Sequence, residues 1–195
     1  MIGFADFEAF LKASFPDMTD GMVERFRLMD AGYRDWNAKI NVISRKDIDS
    51  LYDHHVLHSL AIAEYLRTQR PEVYSMFTAP LQEGSVAPVS SSTNVNASRA
   101  GLRVLDLGTG GGFPGIPLAV MFPNVRFTLC DSVGKKTIVA REIANMLGLD
   151  NVEIVNARAE SLPGRFDFVV SRAVASLTDF YPWVKGKYSR SILYL

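Results

Sequence analysis

The sequence predicts an α/β protein: a mostly parallel sheet with helices on both faces, preceded by a helical region. From Leu102 onward, short apolar β-rich runs alternate with helical patterns. Alternation of that kind implies parallel strands joined by crossover helices. Before residue 70 the apolar residues recur instead at helical spacing. Between these regions and the sheet's ligand edge stands one marked feature, the glycine-rich turn "VLDLGTGGGFPGIPLAV" over Val104–Val120. Sheets of this class take their ligands at the carboxyl ends of the strands, where such turns lie.

Taken in order, Phe4, Phe7, Phe10 and Leu11 give a first helix that Phe15-Pro16 ends. Thr19 or Asp20 caps a longer helix whose stripe is Met22, Phe26, Met29, Tyr33, Trp36 and Ile40. A third helical run is expected over 47–66, with Leu51, His55, Leu60 and Ala63 on its buried face. The stretch "GSVAPVSSSTNVNAS" (84–98) carries no charge and reads as a poorly ordered linker or insertion. Strands are expected at 103–107, 125–130, 152–155, 167–171 and 191–195, and helices at 115–121, 135–147 and 177–184. The expected organisation is an N-terminal helical region at 1–70, a low-complexity linker at 71–101 and the sheet-bearing core at 102–195.

Composition narrows the function classes. Of the 195 residues, 48% are hydrophobic, enough for a real core. Lys+Arg and Asp+Glu both number 21, so a nucleic-acid partner must be met by a local patch. Cys130 is the only cysteine, which excludes an internal disulfide and a cysteine-based zinc site. The start, "MIGFADFEAFLKASF", lacks the basic n-region of a signal peptide, and no apolar run reaches the ~20 residues of a membrane span. The expected location is the cytoplasm, without a membrane partner.

Two cofactors compete for the glycine turn. Gly110, Gly112 and Gly115 fit the dinucleotide fingerprint G-x-G-x-x-G. Asp106, Gly108, Gly110 and Gly112 fit a loop for S-adenosylmethionine. Pro114 and Pro117 stand in or near the first turn of the following helix, and proline has no N–H to offer a pyrophosphate. Asp106 would be unwelcome beside a pyrophosphate but suits a ligand bearing an ammonium and a sulfonium. Asp131 closes the second strand, where an acid accepts from ribose hydroxyls. The third strand runs into "NARAE", where Ala159 and Glu160 can pass an adenine edge. The residues favour the methyl donor.

With "DSVGKK" (131–136), "ARAE", "SRAVASL" (171–177), "WNAKINVIS" (36–44) and "HHVLHSLAIAEYL" (54–66), the chain resembles the bacterial glucose-inhibited division protein B family. Its members methylate guanine N7 in small-subunit ribosomal RNA. The resemblance implies a Rossmann-like class I S-adenosylmethionine-dependent methyltransferase fold. It places Gly108, Gly110 and Phe113 at the cofactor, Asp131 at the ribose, Ala159 and Glu160 at the adenine, and Arg172 at the active-site mouth. The implied partner is 16S ribosomal RNA, in the small subunit or an assembly intermediate, met by a monomer.

The chain departs from the family where His54 and His58 stand in place of an Arg and an Asp. Those two histidines sit at i, i+4, but no third ligand is evident, so no metal is assigned. The chain also ends at the fifth strand, "SILYL", where this fold continues, so the last strands of the sheet are expected to be missing. Arg45, Lys46, Lys135 and Lys136 are candidate RNA phosphate contacts, with Lys185, Lys187 and Arg190 further on. Phe113 and Tyr181 could stack a flipped base. Guanine N7 has a free lone pair and loses no proton, so no nucleophile or acid–base pair is assigned; Arg172 is the candidate for orientation. Two alternatives stay open: a non-catalytic RNA- or ribosome-binding protein that keeps the fold, and a small-molecule methyltransferase.

Overall fold

The computed structural model describes residues 2–80 and 101–195. Within these, the strands are β1 Arg103–Leu107, β2 Arg126–Asp131, β3 Val152–Asn156, β4 Phe166–Ser171 and β5 Tyr188–Tyr194. They form one sheet in the order β3-β2-β1-β4-β5, with every neighbouring pair parallel. The chain winds outward from β1 through β2 and β3, then returns to the other side of β1 with β4. The point of reversal therefore lies between β1 and β4, the place where open α/β sheets bind ligands. This is the expected Rossmann-like α/β fold, a parallel sheet wound in two directions from β1.

The helices are α1 Phe4–Ser14, α2 Asp20–Lys39, α3 His58–Gln69, α4 Pro71–Thr78, α5 Gly115–Met121, α6 Gly134–Met146 and α7 Leu177–Val184. Along the strands, side chains alternate between two cores. Val104, Phe127, Leu129, Phe168 and Val170 face a large cluster with Phe7, Phe26, Tyr33, Val56, Leu60, Ile116 and Ile143. Leu105, Leu107, Cys130 and Val169 face a second cluster closed by Phe180 and Val184 of α7. With both faces covered, the central strands are apolar throughout rather than alternating apolar and polar, which is why they stand out as runs.

The N-terminal helices pack directly on the first face. Thr19 caps α2 by accepting from the Met22 N–H at 3.2 Å. At Gly32, an added Cβ would stand 2.5 Å from Met146 Cε and 3.0 Å from Ile143 Cδ1, so α2 lies close enough to α6 that a larger residue would push the Met146 side chain aside. Asn37 then folds the chain back: its Oδ1 accepts from Val42 N and Ile43 N, both at 2.9 Å, and its Nδ2 donates to Ile43 O at 2.9 Å. That turn lays Val42 on Gly111, where a Cβ would meet Val42 Cγ2 at 2.8 Å. No helix of the described residues is long and apolar enough to cross a membrane.

Three expectations need correction. The linker does not start at 71, because Pro71–Thr78 is helical. Pro71 occupies its first turn, where a missing N–H costs nothing. Phe77 anchors it against Phe122 and Phe168, with ring centroids 5.0 and 5.1 Å apart. The helix expected over 47–66 is not continuous. A 3₁₀ turn at Ile48–Ser50 leads into a wider π turn at Leu51–Leu57, and regular α-helix begins only at His58. Finally, β5 begins at Tyr188, three residues before the expected start; the exposed Ser189 and Arg190 hide its edge-strand beginning from an apolar count. The insertion at 84–98 lies outside the described residues.

Candidate active site

A cavity of about 680 Å³ opens at the carboxyl ends of β1, β2 and β4, a volume suited to a cofactor-sized ligand. Gly108, Gly110, Phe113, Asp131, Ala159, Glu160 and Arg172 all line it. Asp106 does not. Its place on β1 shares the face of Val104, so its carboxylate turns under the loop and is fully buried. There Oδ2 accepts from Thr109 Oγ1 at 2.6 Å and from Gly115 N at 2.8 Å. Burial pushes this carboxyl up to about 7, against the two hydrogen bonds that lower it. The expected contact between Asp106 and the cofactor is thus replaced by a contact with the loop that surrounds the cofactor site.

The loop's backbone donors decide which ligand it suits. Gly108 N and Thr109 N donate to Cys130 O, at 2.8 and 3.1 Å. Gly112 N and Phe113 N both donate to Thr109 O at 2.9 Å. Gly110 N donates to Asp131 Oδ2 at 2.9 Å. In α5, Gly115 N is held by Asp106, Ile116 N by Gly112 O at 2.7 Å and Leu118 N by Pro114 O at 3.2 Å. Pro114 and Pro117 have no N–H. A dinucleotide needs free donors at this helix start for its pyrophosphate, and every first-turn donor is already used within the chain.

Across the strand ends the lining changes in character. At the β2–β3 side, Asp131 Oδ1 also accepts from Val133 N at 2.8 Å, so both carboxylate oxygens are fixed in place while keeping free lone pairs toward the cavity. The short turn Ala159–Ser161 follows β3 and brings Ala159 and Glu160 to the same wall. Lys136 and Arg158, the first only a candidate RNA contact and the second not singled out by the sequence, also line it. Cys130 donates its thiol to Ala157 O at 3.3 Å, and burial pushes that thiol up to about 11, so it is no nucleophile.

At the β4 side stands Arg172. It pairs with neither Asp167 nor Asp179: Asp167 Oδ2 accepts from Arg103 N, and Asp179 Oδ2 from Ser176 Oγ. Arg172 instead reaches the π turn. Nη1 donates to His54 O at 2.9 Å and approaches His58 Nδ1 at 3.4 Å, while Nη2 lies 2.9 Å from His55 Nδ1. The guanidinium carbon sits 5.4 Å from the Phe113 ring centre, and Tyr33 stacks on Phe113 at 4.8 Å. Burial, then the Arg172 charge, hold His55 down to about 4 and lower His58 as well. His55 is therefore a half-buried wall residue of the cavity rather than a core residue. Nothing in local spacing could have linked it to a partner 117 positions away.

The remaining RNA candidates are scattered. Arg45 and Lys46 are exposed, and Arg45 lines a separate depression with Arg34 and Lys39. Lys135 is exposed beside Lys136 on α6. Lys187 spends its ammonium on Leu162 O at 2.8 Å. Tyr181 is exposed on α7.

The family model described as rRNA small subunit methyltransferase G matches residues 85–194. A Ribosomal RNA small subunit methyltransferase G of Christiangramia forsetii is 44% identical over 180 residues, which are 92% of this chain and 71% of that protein. One from Bacteroides fragilis is 47% identical over 175 residues, 90% of this chain and 70% of that protein. Among solved structures, a ribosomal protein L11 methylase of Lactobacillus delbrueckii subsp. bulgaricus aligns at 21% identity and TM-score 0.43, covering 48% of this chain and 50% of that one.

Proposed function

Because the chain belongs to the rRNA small subunit methyltransferase G family, we propose that it transfers a methyl group from S-adenosylmethionine to N7 of a guanine in 16S ribosomal RNA. The observation that carries the choice of donor is the first turn of α5, where every N–H is used within the chain or replaced by proline. A helix start whose first-turn N–H groups are all used internally or replaced by proline suits a ligand without phosphate.

The sheet order supports one orientation of that ligand. Asp131, Ala159 and Glu160 come from β2 and β3, the glycine loop from β1, and Arg172 from the end of β4. An adenosine at the β2–β3 side would find Asp131 for its ribose hydroxyls and the Ala159–Glu160 turn for its base. An amino-acid carboxylate at the other end would meet Arg172. That guanidinium has no hydrogen-bonded or ion-paired acid among the described residues, the buried Asp106 acting on it only at longer range, and a half-buried cation without a directly bound acid favours an anionic ligand.

When bound, S-adenosylmethionine supplies a methyl group on a sulfonium, already electrophilic. The chain's own work is to hold and to exclude. Guanine N7 carries its lone pair at neutral pH and becomes cationic without losing a proton, so alignment is the main demand. The thiol and the imidazole on the cavity wall are both ill suited to proton transfer: burial raises the Cys130 thiol, and burial with the Arg172 charge weakens His55 as a base. Phe113, held between Tyr33 and Arg172, offers an aromatic wall. Lys136 and Arg158 at the same opening suit RNA phosphates. The RNA is met in the small subunit or its assembly intermediate, in the cytoplasm.

Two measurements test the reading. Calorimetry should show binding of S-adenosylmethionine and of its demethylated product, and none of NAD. Radiolabelled donor should then mark unmodified small-subunit particles, with the label recovered as 7-methylguanosine after nuclease digestion. NAD binding without donor binding would overturn the cofactor assignment, and label in metabolites but not in RNA would overturn the substrate.

A further inference from the structure

We infer that His55 is a positioning residue: through its Nδ1 lone pair it seats the Arg172 guanidinium on Phe113 without an ion pair, leaving the positive charge open to the ligand. The inference rests on the reading of Arg172 as the anchor of the donor's carboxylate. Its basis is the company Arg172 keeps. The partners that hold the guanidinium are a backbone carbonyl, His54 O, and two imidazole nitrogens, of His55 and His58. None of the three is an acid, so hydrogen bonding fixes the geometry and cancels no charge. A carboxylate in any of those places would form an ion pair and compete with an anionic ligand.

The tautomer of His55 points the same way. Arg172 can only donate, so Nδ1 must accept and the ring proton sits on Nε2. Nε2 is buried and has no hydrogen-bond partner among the described residues. An unpaired buried N–H is unfavourable, and a leucine would fill the same wall without it. The Nδ1 contact is what the imidazole provides in return. The π turn makes the contact possible, because it presents His54 O and His55 Nδ1 side by side toward one guanidinium. Phe113 closes the other side, with the His55 ring 5.2 Å and the guanidinium 5.4 Å from its centre.

Four substitutions in the full chain test this by calorimetry with S-adenosylhomocysteine and by steady-state methylation. Arg172→Gln tests the underlying reading; unchanged affinity there would remove the anchor and this inference with it. With Arg172→Gln weak, His55→Leu should weaken affinity about tenfold and raise KM for the donor, with kcat at saturating donor within twofold. His55→Asn, whose Oδ1 can stand where Nδ1 stood, should recover affinity to within about threefold of the parent. His55→Asp also restores an acceptor but adds a charge, and should remain as weak as His55→Leu. Parent-like affinity in His55→Leu would overturn the positioning role. Parent-like affinity in His55→Asp would overturn the requirement for a neutral partner. A failure of His55→Asn to recover would also count against it, since melting curves would show whether that variant is folded.

Discussion

At the scale of single residues, Asp106 shows what spacing in a sequence can and cannot convey. Its place at the mouth of the glycine turn was legible, but the side to which its carboxylate turns was not. That depends on the pleat, which puts it on the face of Val104 and beneath α5. Its folded-state carboxyl lies near 7, above its ordinary 3.8, chiefly through burial. A raised acid contributes stability that is fully present below 3.8 and is lost as pH rises through about 7. Asp106→Asn keeps an oxygen for Thr109 and Gly115 and removes the charge. Its melting temperature relative to the parent should therefore rise between pH 5 and pH 8, read by differential scanning calorimetry, while donor affinity stays within twofold. A pH-independent difference would show that the carboxyl ionises freely in the fold. Asp106→Ala, which abandons both donors, should cost about 1–3 kcal/mol. His55 has the opposite sign. Its folded value near 4 lies below the ordinary 6.5, held there by burial and Arg172, with His54 and His58 adding to the effect and Asp47 opposing it. Its contribution is present above 6.5 and is lost as pH falls through 4. Urea denaturation at pH 7 and pH 5 should show a smaller acid loss in His55→Asn than in the parent.

At the scale of elements, the glycine turn was the most legible part of the chain, because its conformations leave few alternatives. Gly108, Gly110 and Gly112 all have positive φ, at 76°, 58° and 111°. Its glycines nevertheless do different work. At Gly110 an added Cβ meets nothing closer than Lys136 Cδ at 4.0 Å, so Gly110→Ala carries only the left-handed backbone strain, about 1–2 kcal/mol. Gly115 has ordinary helical backbone, but a Cβ would stand 2.6 Å from both Asp106 Oδ2 and Leu129 Cγ. Gly115→Ala should cost about 1–3 kcal/mol through overpacking and also break the Asp106 contact. Urea denaturation of the two variants should place Gly115→Ala as the less stable; the reverse order would mean that strain in the loop outweighs contact in the core. By contrast, α4 was hidden by the composition of the stretch that follows it, although Pro71-Glu72 and the spacing of Val73 and Phe77 are a fair helix signal. The π turn had no local signal at all. Its residues have helical spacing, and what they bind is Arg172, on a strand end far along the chain.

At the scale of the whole molecule, the alternation of strands and helices conveyed the sheet, but not how the first seventy residues lie on it. Composition separates a helical region from a sheet-bearing core, yet packing joins them. The first hydrophobic cluster runs without a break from Phe7 of α1 through Tyr33 of α2 and Phe77 of α4 to Phe168 of β4. Tyr33 Oη also donates to Gly111 O at 2.9 Å, so a helix of the N-terminal region holds the cofactor loop itself. The second cluster shares the same strands from the other face. If one sheet serves both clusters, neither should unfold without the other. The two tryptophans make this measurable, since Trp36 packs against the first cluster and Trp183 against the second. Trp183→Phe leaves Trp36 as the reporter of the N-terminal side, and Trp36→Phe leaves Trp183 to report on α7. Urea transitions followed by fluorescence in the two variants, each compared with its own far-ultraviolet circular dichroism, should coincide. An earlier Trp36 transition with the sheet signal intact would mean that the N-terminal helices detach as a unit. The cofactor loop would then lose Tyr33 and Val42 before the sheet opened, and donor affinity should fall along the Trp36 transition rather than the global one.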